Sequence, residues 1–453
     1  MRKSTQKDQP RIGIIGGGAA GLSAGYFLKK RGYKNVTIFE KENRIGGKCL
    51  SLTVGGQSFD LGANYITSSY TEVQQLARTF GAKMYTEGKL RAYNYNSHTF
   101  SSLFKAATRN TSIFSLTWSA IKFIYKRWCL NKYITPKRPG FKGIAAHPEL
   151  TQSFSSWLHQ NGLSNLETLF EVPISSMGYG KLKEIPTAYA LTYMTVKTFM
   201  DLSLAAINPH IRGYPMRFTE GYQRLWERVS WELNVIVGAD VKSVLRKKDG
   251  PITIKYKNTE ELLGREGHTT QEMEVDYLFV GAPLYEASLD KFLDLTDAER
   301  KLFKQVRFDP FMVTTYNEPG LKDYYAATFM LPEPPIGQPF VITRQFKDNN
   351  LVSVYTRTVY GQPIDKEKIL KTNAEFIKKA TGVEVGDYYT YSEFPYFPHV
   401  SQEAFSNGFY DELDDIQGQH NTFYVGGLMN FELVETITNY SKHLVKNNFP
   451  KIC

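Results

Sequence analysis

The feature that most constrains this chain is a glycine turn set between a strand and a helix. Arg11 to Ile15 is a short apolar run, Gly16-Gly17-Gly18-Ala19-Ala20-Gly21 follows it, and a helical pattern runs from Ala19 to Arg31. Gly32 closes the helix, and Val36 to Phe39 reads as a second strand ending at Glu40. Strand, turn, helix and strand within about 30 residues make a βαβ unit with a parallel strand pair. The G-x-G-x-x-G spacing gives each glycine a task. Gly16 makes the tight turn, Gly18 lets the backbone approach a pyrophosphate, and Gly21 lets helix and strand pack closely. Ala19 and Ala20 open the helix, whose free N–H groups and partial positive charge favour phosphate. Glu40, followed by Lys41, stands where a carboxylate accepts hydrogen bonds from ribose hydroxyls.

This unit alone does not separate NAD from FAD. Arg44-Ile45-Gly46-Gly47-Lys48 and Asp60-Leu61-Gly62-Ala63-Asn64 lie just beyond the second strand. Glycines between cations form a second loop able to lean on a pyrophosphate; a plain turn with solvated charges is the simpler alternative. On these residues the chain resembles the flavin amine oxidase superfamily, whose members share an N-terminal FAD unit followed by an R-x-G-G segment. Within it, the chain is similar to the bacterial polyunsaturated fatty-acid (linoleate) double-bond isomerases. That similarity rests on Met177-Gly178-Tyr179-Gly180, Ile185-Pro186-Thr187-Ala188-Tyr189, Tyr396-Phe397-Pro398-His399-Val400-Ser401, Asn421-Thr422-Phe423-Tyr424-Val425-Gly426 and Tyr440-Ser441-Lys442.

The resemblance implies an α/β fold, α+β in part. A Rossmann-type FAD-binding domain is joined to a discontinuous, mixed and helical substrate domain, as in amine oxidases. The FAD-binding domain is expected from residues 1–88, 210–285 and 390–453, and the substrate region from 89–209 and 286–389, with a basic helical segment at 105–142. FAD is expected to bind non-covalently, with Val241 at the adenine and Gly426 near the ribityl chain. Related proteins carry an acidic residue directly after that glycine, where this chain has Gly427; Glu432 or Glu435 is expected to take its place. Arg91 falls where the isomerases keep a carboxylate-binding arginine. Met177, and a position near Leu202, fall where they keep aromatic side chains that close over the fatty acid.

The residues themselves show no Ser/His/Asp set, no metal-ligand cluster and no nucleophile motif. Flavin chemistry needs none, because N5 of the ring accepts and returns hydride itself. His399 is the histidine to watch, and a structural role is its simpler reading. The expected activity is double-bond isomerisation of a polyunsaturated fatty acid, with hydride taken from a methylene between two double bonds and returned elsewhere. An FAD-dependent oxidase or dehydrogenase of the amine oxidase type is the alternative within enzymes. Against it, the segment from Phe308 to Asn317 lacks the lysine that amine oxidases keep near N5. A non-catalytic flavin-binding, membrane-docking protein is the alternative outside enzymes.

Charge and cysteine usage bound the rest. With 453 residues the chain exceeds one compact core. Cys49, Cys129 and Cys453 show no paired spacing, which fits a reducing compartment. The polar stretch Met1 to Pro10 lacks a signal-peptide core, so a cytoplasmic location is expected. The net charge is +10, yet Lys89 to Pro148 holds eleven Lys or Arg and no Asp or Glu. The helix expected at Ser115 to Tyr133 interleaves Lys122, Lys126, Arg127 and Lys132 with Trp118, Phe123, Tyr125 and Trp128. These aromatics do not all fall on one stripe, so a helix with a buried face and a solvated basic face is the preferred reading. Peripheral membrane contact is the alternative, and nucleic-acid binding has no supporting motif.

Overall fold

The computed structural model describes residues 9–109, 111–247, 250–258, 270–318 and 327–452; residues 1–8 of the polar N-terminus and Cys453 lie outside them. At its centre is a parallel five-stranded sheet in the order Thr422–Tyr424, Tyr277–Val280, Ile12–Ile15, Val36–Glu40, Asn234–Val237. Ile12, Ile14, Ile38 and Leu278 are all buried, as strands covered on both faces require. The helix after the glycine turn, Ala19–Lys30, packs against the last helix, Val434–Asn448. Two hydroxyl contacts tie them: Ser23 Oγ to Thr438 Oγ1 at 3.2 Å, and Ser441 Oγ to the Ala20 carbonyl at 3.3 Å.

A three-stranded antiparallel sheet, Ala239–Arg246, Ile252–Asn258 and Thr270–Val275, lies against the parallel one. The approach is close enough that a Cβ on Gly13 would sit 2.7 Å from Ile254 Cδ1. The substrate region is organised on a mixed seven-stranded sheet: Tyr388–His399, Arg307–Asn317, Leu351–Arg357, Pro339–Thr343, Ala327–Leu331, Leu90–Asn94, Thr99–Ser102. Side chains alternate across it. Tyr93 and Met330 meet Phe376 of the helix Lys366–Thr381 on one face, while Ala92, Phe329, Val313 and Tyr355 form a separate core with Leu103 on the other.

Three sequence readings are corrected here. By periodicity alone the segment after Thr71 reads as helical with loops, but beyond the helix Thr71–Thr79 it forms strands Met84–Thr86, Leu90–Asn94 and Thr99–Ser102. Val235 to Leu245 reads as one strand, yet Gly238, at φ +70°, splits it between two sheets. Tyr388–His399 was not anticipated as a strand, and it crosses the boundary expected at 390 by pairing with Arg307–Asn317. In each case pairing with a distant strand decides the local conformation, which short-range periodicity does not report.

Candidate functional site

A cavity of about 770 Å³ opens at the carboxyl ends of the parallel strands and extends to the seven-stranded sheet. Ligands in such sheets bind at that end because the helix N-termini and tight turns gather there. Among the expected cofactor residues, Gly16, Gly18, Ala19, Ala20, Glu40, Lys41, Arg44, Gly46, Gly47, Lys48, Gly62, Ala63, Asn64, Val241 and Gly426 all line it. Gly21 lies behind this wall.

Two glycine loops clasp each other at one end. Gly16, at φ +106°, donates its N–H to the Phe39 carbonyl at 2.8 Å, which fixes the turn to the second strand. Gly46 donates to the Gly17 carbonyl at 3.0 Å, and a Cβ on Gly47 would lie 3.1 Å from Gly18 Cα. Arg44 Nη1 donates to the Gly47 carbonyl at 2.9 Å and stiffens the second loop. Glu40 accepts the N–H groups of Gly17 (2.6 Å) and Glu42 (2.8 Å), while burial raises its carboxyl above the usual range. No side chain caps the helix Ala19–Lys30, so its N-terminal donors face the cavity without an internal substitute. A Cβ on Gly426 would meet nothing within 4 Å, which leaves open space beside the backbone. The arrangement fits a dinucleotide: bare backbone where phosphates approach, and a carboxylate where ribose hydroxyls fall.

The other end is aromatic. Tyr179 and Tyr396 have ring centroids 5.4 Å apart, Phe311 and Tyr396 are 4.8 Å apart, and Tyr193 stands 5.6 Å from Tyr179. All four line the cavity, although only Tyr179 and Tyr396 belong to motifs singled out above. Between the two ends, Lys48 pairs with Glu432 Oε1 and faces the Tyr396 ring at 6.0 Å. Glu432 is 9% exposed, and its Oε2 has no hydrogen-bond partner among the described residues.

A narrow second chamber continues from this aromatic end, sharing Tyr65, Met177 and Tyr193 with the main cavity. Leu90, Leu103, Leu169, Val172, Leu202 and Phe329 contribute to its wall, and among the described residues no charged side chain does. Met177 and Leu202 are thus together, as expected, with Met177 at the junction.

These features carry a family assignment. A family model described as flavin containing amine oxidoreductase matches residues 19–315. The chain belongs to that family. FAD is its cofactor, and the protein is an FAD-dependent enzyme. The same fold occurs in the CLA-producing fatty acid isomerase from P. acnes, with a TM-score of 0.82, 24% identity, and coverage of 99% of this chain and 100% of that one. Two sequence relatives match over short segments. Protoporphyrinogen oxidase 2 of Arabidopsis thaliana is 42% identical over 73 residues, and the polyenoic fatty acid isomerase of Ptilota filicina 34% over 70. Each match covers 16% of this chain and 14% of the relative's own length.

One expected residue of this amine oxidoreductase is placed elsewhere. Arg91 lies in the strand Leu90–Asn94 next to Leu90, and adjacent strand residues face opposite sides. Leu90 lines the apolar chamber, whereas Arg91 does not; its guanidinium stacks over Phe100 at 4.0 Å and donates to Thr328 Oγ1 at 2.9 Å. The structure therefore does not present Arg91 as a carboxylate anchor within the cavity. His399 is half-buried, with Nδ1 2.7 Å from the Phe397 carbonyl and outside the cavity lining, a structural position.

Glu435 is corrected as well. Its carboxylate accepts the backbone N–H groups of Glu72 and Val73, each at 3.0 Å, and the Thr71 hydroxyl at 3.2 Å. It caps the helix Thr71–Thr79 instead of reaching the ribityl region. Burial pushes its carboxyl up to about 7 despite these donors. Because the folded-state value exceeds the unfolded one, this group's contribution to stability is present below about pH 4.5 and is lost as pH rises through about 7. Glu435→Gln is expected to narrow the melting-temperature difference between pH 5 and pH 8 by a few degrees. The lost acceptor costs about 1 kcal/mol at both values. Thermal melts of both proteins at both pH values check this; an unchanged difference would remove Glu435 as its source.

Proposed function

We propose that this enzyme shifts a double bond within a polyunsaturated fatty acid, with the two glycine loops, Glu40 and Glu432 holding FAD and the aromatic end holding the reacting carbons. The observation that carries the reading is the uncharged chamber continuing from the aromatic end. The chamber, about 40 Å³ in volume, takes the apolar end of a hydrocarbon chain whose remainder lies in the main cavity, and each buried methylene contributes about 0.8 kcal/mol. A charged substrate arm would lose its hydration there without an opposite charge to meet it. The fatty carboxylate therefore stays outside the narrow chamber while the tail enters it.

FAD supplies reversible hydride transfer, which relocates a double bond without net oxidation when hydride returns to a different carbon. The chain's own side chains do the rest. Tyr179, Tyr193, Phe311 and Tyr396 present ring faces to the reacting segment, and ring faces favour positive charge developing on an allylic carbon chain. Their hydroxyls stay protonated, because burial raises the phenols of Tyr179, Tyr193 and Tyr396. Met177, flexible at the junction, adapts to the bend of a cis double bond. The strand Arg307–Asn317 offers no lysine to the cavity, and Lys48, which faces the Tyr396 ring, is engaged by Glu432.

The test is anaerobic incubation of the FAD-loaded enzyme with linoleate, followed by ultraviolet absorbance of a conjugated diene. A rise without oxygen or an external acceptor is expected. A flat trace with linoleate and longer polyunsaturated acids, with oxygen consumed on another hydrophobic substrate, would replace the isomerase by an oxidase.

A further inference from the structure

We propose that the helix Ile113–Cys129 is a docking surface for an anionic lipid bilayer. Phe114, Trp118, Ile121, Tyr125 and Trp128 follow one another at intervals of four, three, four and three residues, which places them on one stripe of an α-helix. Every one is exposed, by 55% at Ile121 up to 84% at Phe114. The preferred sequence reading, a solvated basic face, is thereby overturned: the solvated face is aromatic. Phe123, which blurred the pattern, lies on the opposite side with Ser119 and Arg127, all three buried.

The helix is fixed in this orientation. Phe123 packs its ring against Phe170 (4.9 Å) and Phe199 (4.6 Å). Arg127 is not one of the solvated cations; its Nε donates to the Leu191 carbonyl at 3.0 Å and its Nη1 to Asn131 Oδ1 at 2.8 Å. Turning the stripe inward would break these hydrogen bonds and ring contacts and expose Phe123 instead. Continuous apolar exposure of this extent marks an interaction surface in a water-soluble fold.

Charge selects the occupant. Lys122 and Lys126 border the stripe along one edge, Lys132 follows the helix, and Lys105 and Arg109 precede it. No Asp or Glu occurs from Lys89 to Pro148. An apolar centre rimmed by cations matches an interface where side chains enter the acyl boundary and cations meet anionic headgroups. A second copy meeting this face symmetrically would set cation rim against cation rim. A nucleic acid would leave the aromatic stripe without an apolar partner. Among the described residues no helix is long and apolar enough to cross a membrane, so contact is peripheral. The helix also forms an outer layer over the narrow chamber, because Phe199 lines that chamber and touches Phe123. Leu103 and Ala107, shortly before the helix, line it too. A bilayer seated here lies beside the apolar chamber.

The experiment is flotation of the FAD-loaded full chain with vesicles of phosphatidylcholine alone, or with an equal part of phosphatidylglycerol. Binding to the anionic vesicles, weakened by salt, is expected. The triple change Phe114→Ser, Trp118→Ser and Trp128→Ser is expected to lower partitioning at least ~10-fold while the protein keeps its flavin. The pair Lys122→Glu and Lys126→Glu is expected to lower it on the order of tenfold and to flatten the salt dependence. Absence of binding at low salt, or a triple variant that binds as the parent does, would overturn the proposal. So would a parent dimer that the triple variant converts to monomer, because the stripe would then be a subunit interface.

Discussion

Replacing Gly21 by alanine is expected to yield a protein that purifies without bound FAD. A Cβ at this position would lie 2.0 Å from the Gly16 carbonyl oxygen, a backbone atom that no rotamer change can move aside. Van der Waals contact needs well over 3 Å, so the first turn of the helix must separate from the strand–turn junction by more than 1 Å. That separation displaces the donors that the uncapped helix presents to phosphate, and it opens the clasp in which Gly46 binds the Gly17 carbonyl at 3.0 Å. A weakening of at least ~100-fold in the Kd for FAD is expected, since several hydrogen bonds to charged oxygens are lost together. Gly25→Ala, one helical turn further on, is the matched control. Its Cβ would meet Ile38 Cδ1 at 2.9 Å, the end of a side chain that can rotate, so flavin binding should survive. Visible absorbance after purification and titration of apoprotein with FAD separate the two. Stoichiometric flavin at parental affinity in Gly21→Ala would mean that this turn is not the pyrophosphate cradle.

The contrast between what the glycine turn reveals and what the substrate region hides has a physical origin. Gly16, Gly18 and Gly21 are legible because a turn of this geometry imposes residue identity at fixed spacing, with no help from the rest of the chain. The four rings of the aromatic end come from positions 179, 193, 311 and 396: Phe311 and Tyr396 from paired strands distant in sequence, Tyr179 from the loop after Ser175–Met177, and Tyr193 from the end of the helix Thr187–Tyr193. Nothing local marks Phe311 or Tyr193. Arg91 fails for a parity reason: its segment looks helical in isolation, and only the strand pairing reveals that Leu90, not Arg91, faces the chamber. Glu435 fails because a sequence does not disclose which helix N-terminus stands next to a carboxylate. The exposed stripe on Ile113–Cys129 was within reach, since its spacing is regular. Counting Phe123 with the exposed aromatics obscured it, and burial separates the two sets.

Glu432 and Gly427 are best understood as one exchanged position, which leads to the second large effect. A Cβ on Gly427 would lie 2.8 Å from Glu432 Cβ and 3.2 Å from its Cα, so the glutamate occupies the space a side chain at 427 would need. Glu432 is buried against the cavity with Oε1 on Lys48 and Oε2 without a partner among the described residues, a costly state for an acceptor unless a ligand donor completes it. Ribityl hydroxyls are donors of the required kind, and the sequence resemblance places them near Gly426. Glu432→Gly is therefore expected to weaken FAD binding by the worth of a hydrogen bond to a charged group, about 1.5–3 kcal/mol, or roughly 10- to 150-fold in Kd. Gly427→Asp alone is expected to do at least as much damage, because it drives two carboxylates and a steric clash into one site. Combining Gly427→Asp with Glu432→Gly removes the clash and returns one carboxylate, so most of the lost affinity should come back. FAD titration of the four apoproteins measures this without any turnover. Recovery in the double variant requires the two positions to share one role. If Glu432→Gly bound FAD as tightly as the parent, the carboxylate would serve only to hold Lys48. If each single change weakened binding and the pair weakened it additively, Gly427 would be a packing glycine whose neighbour merely happens to be acidic.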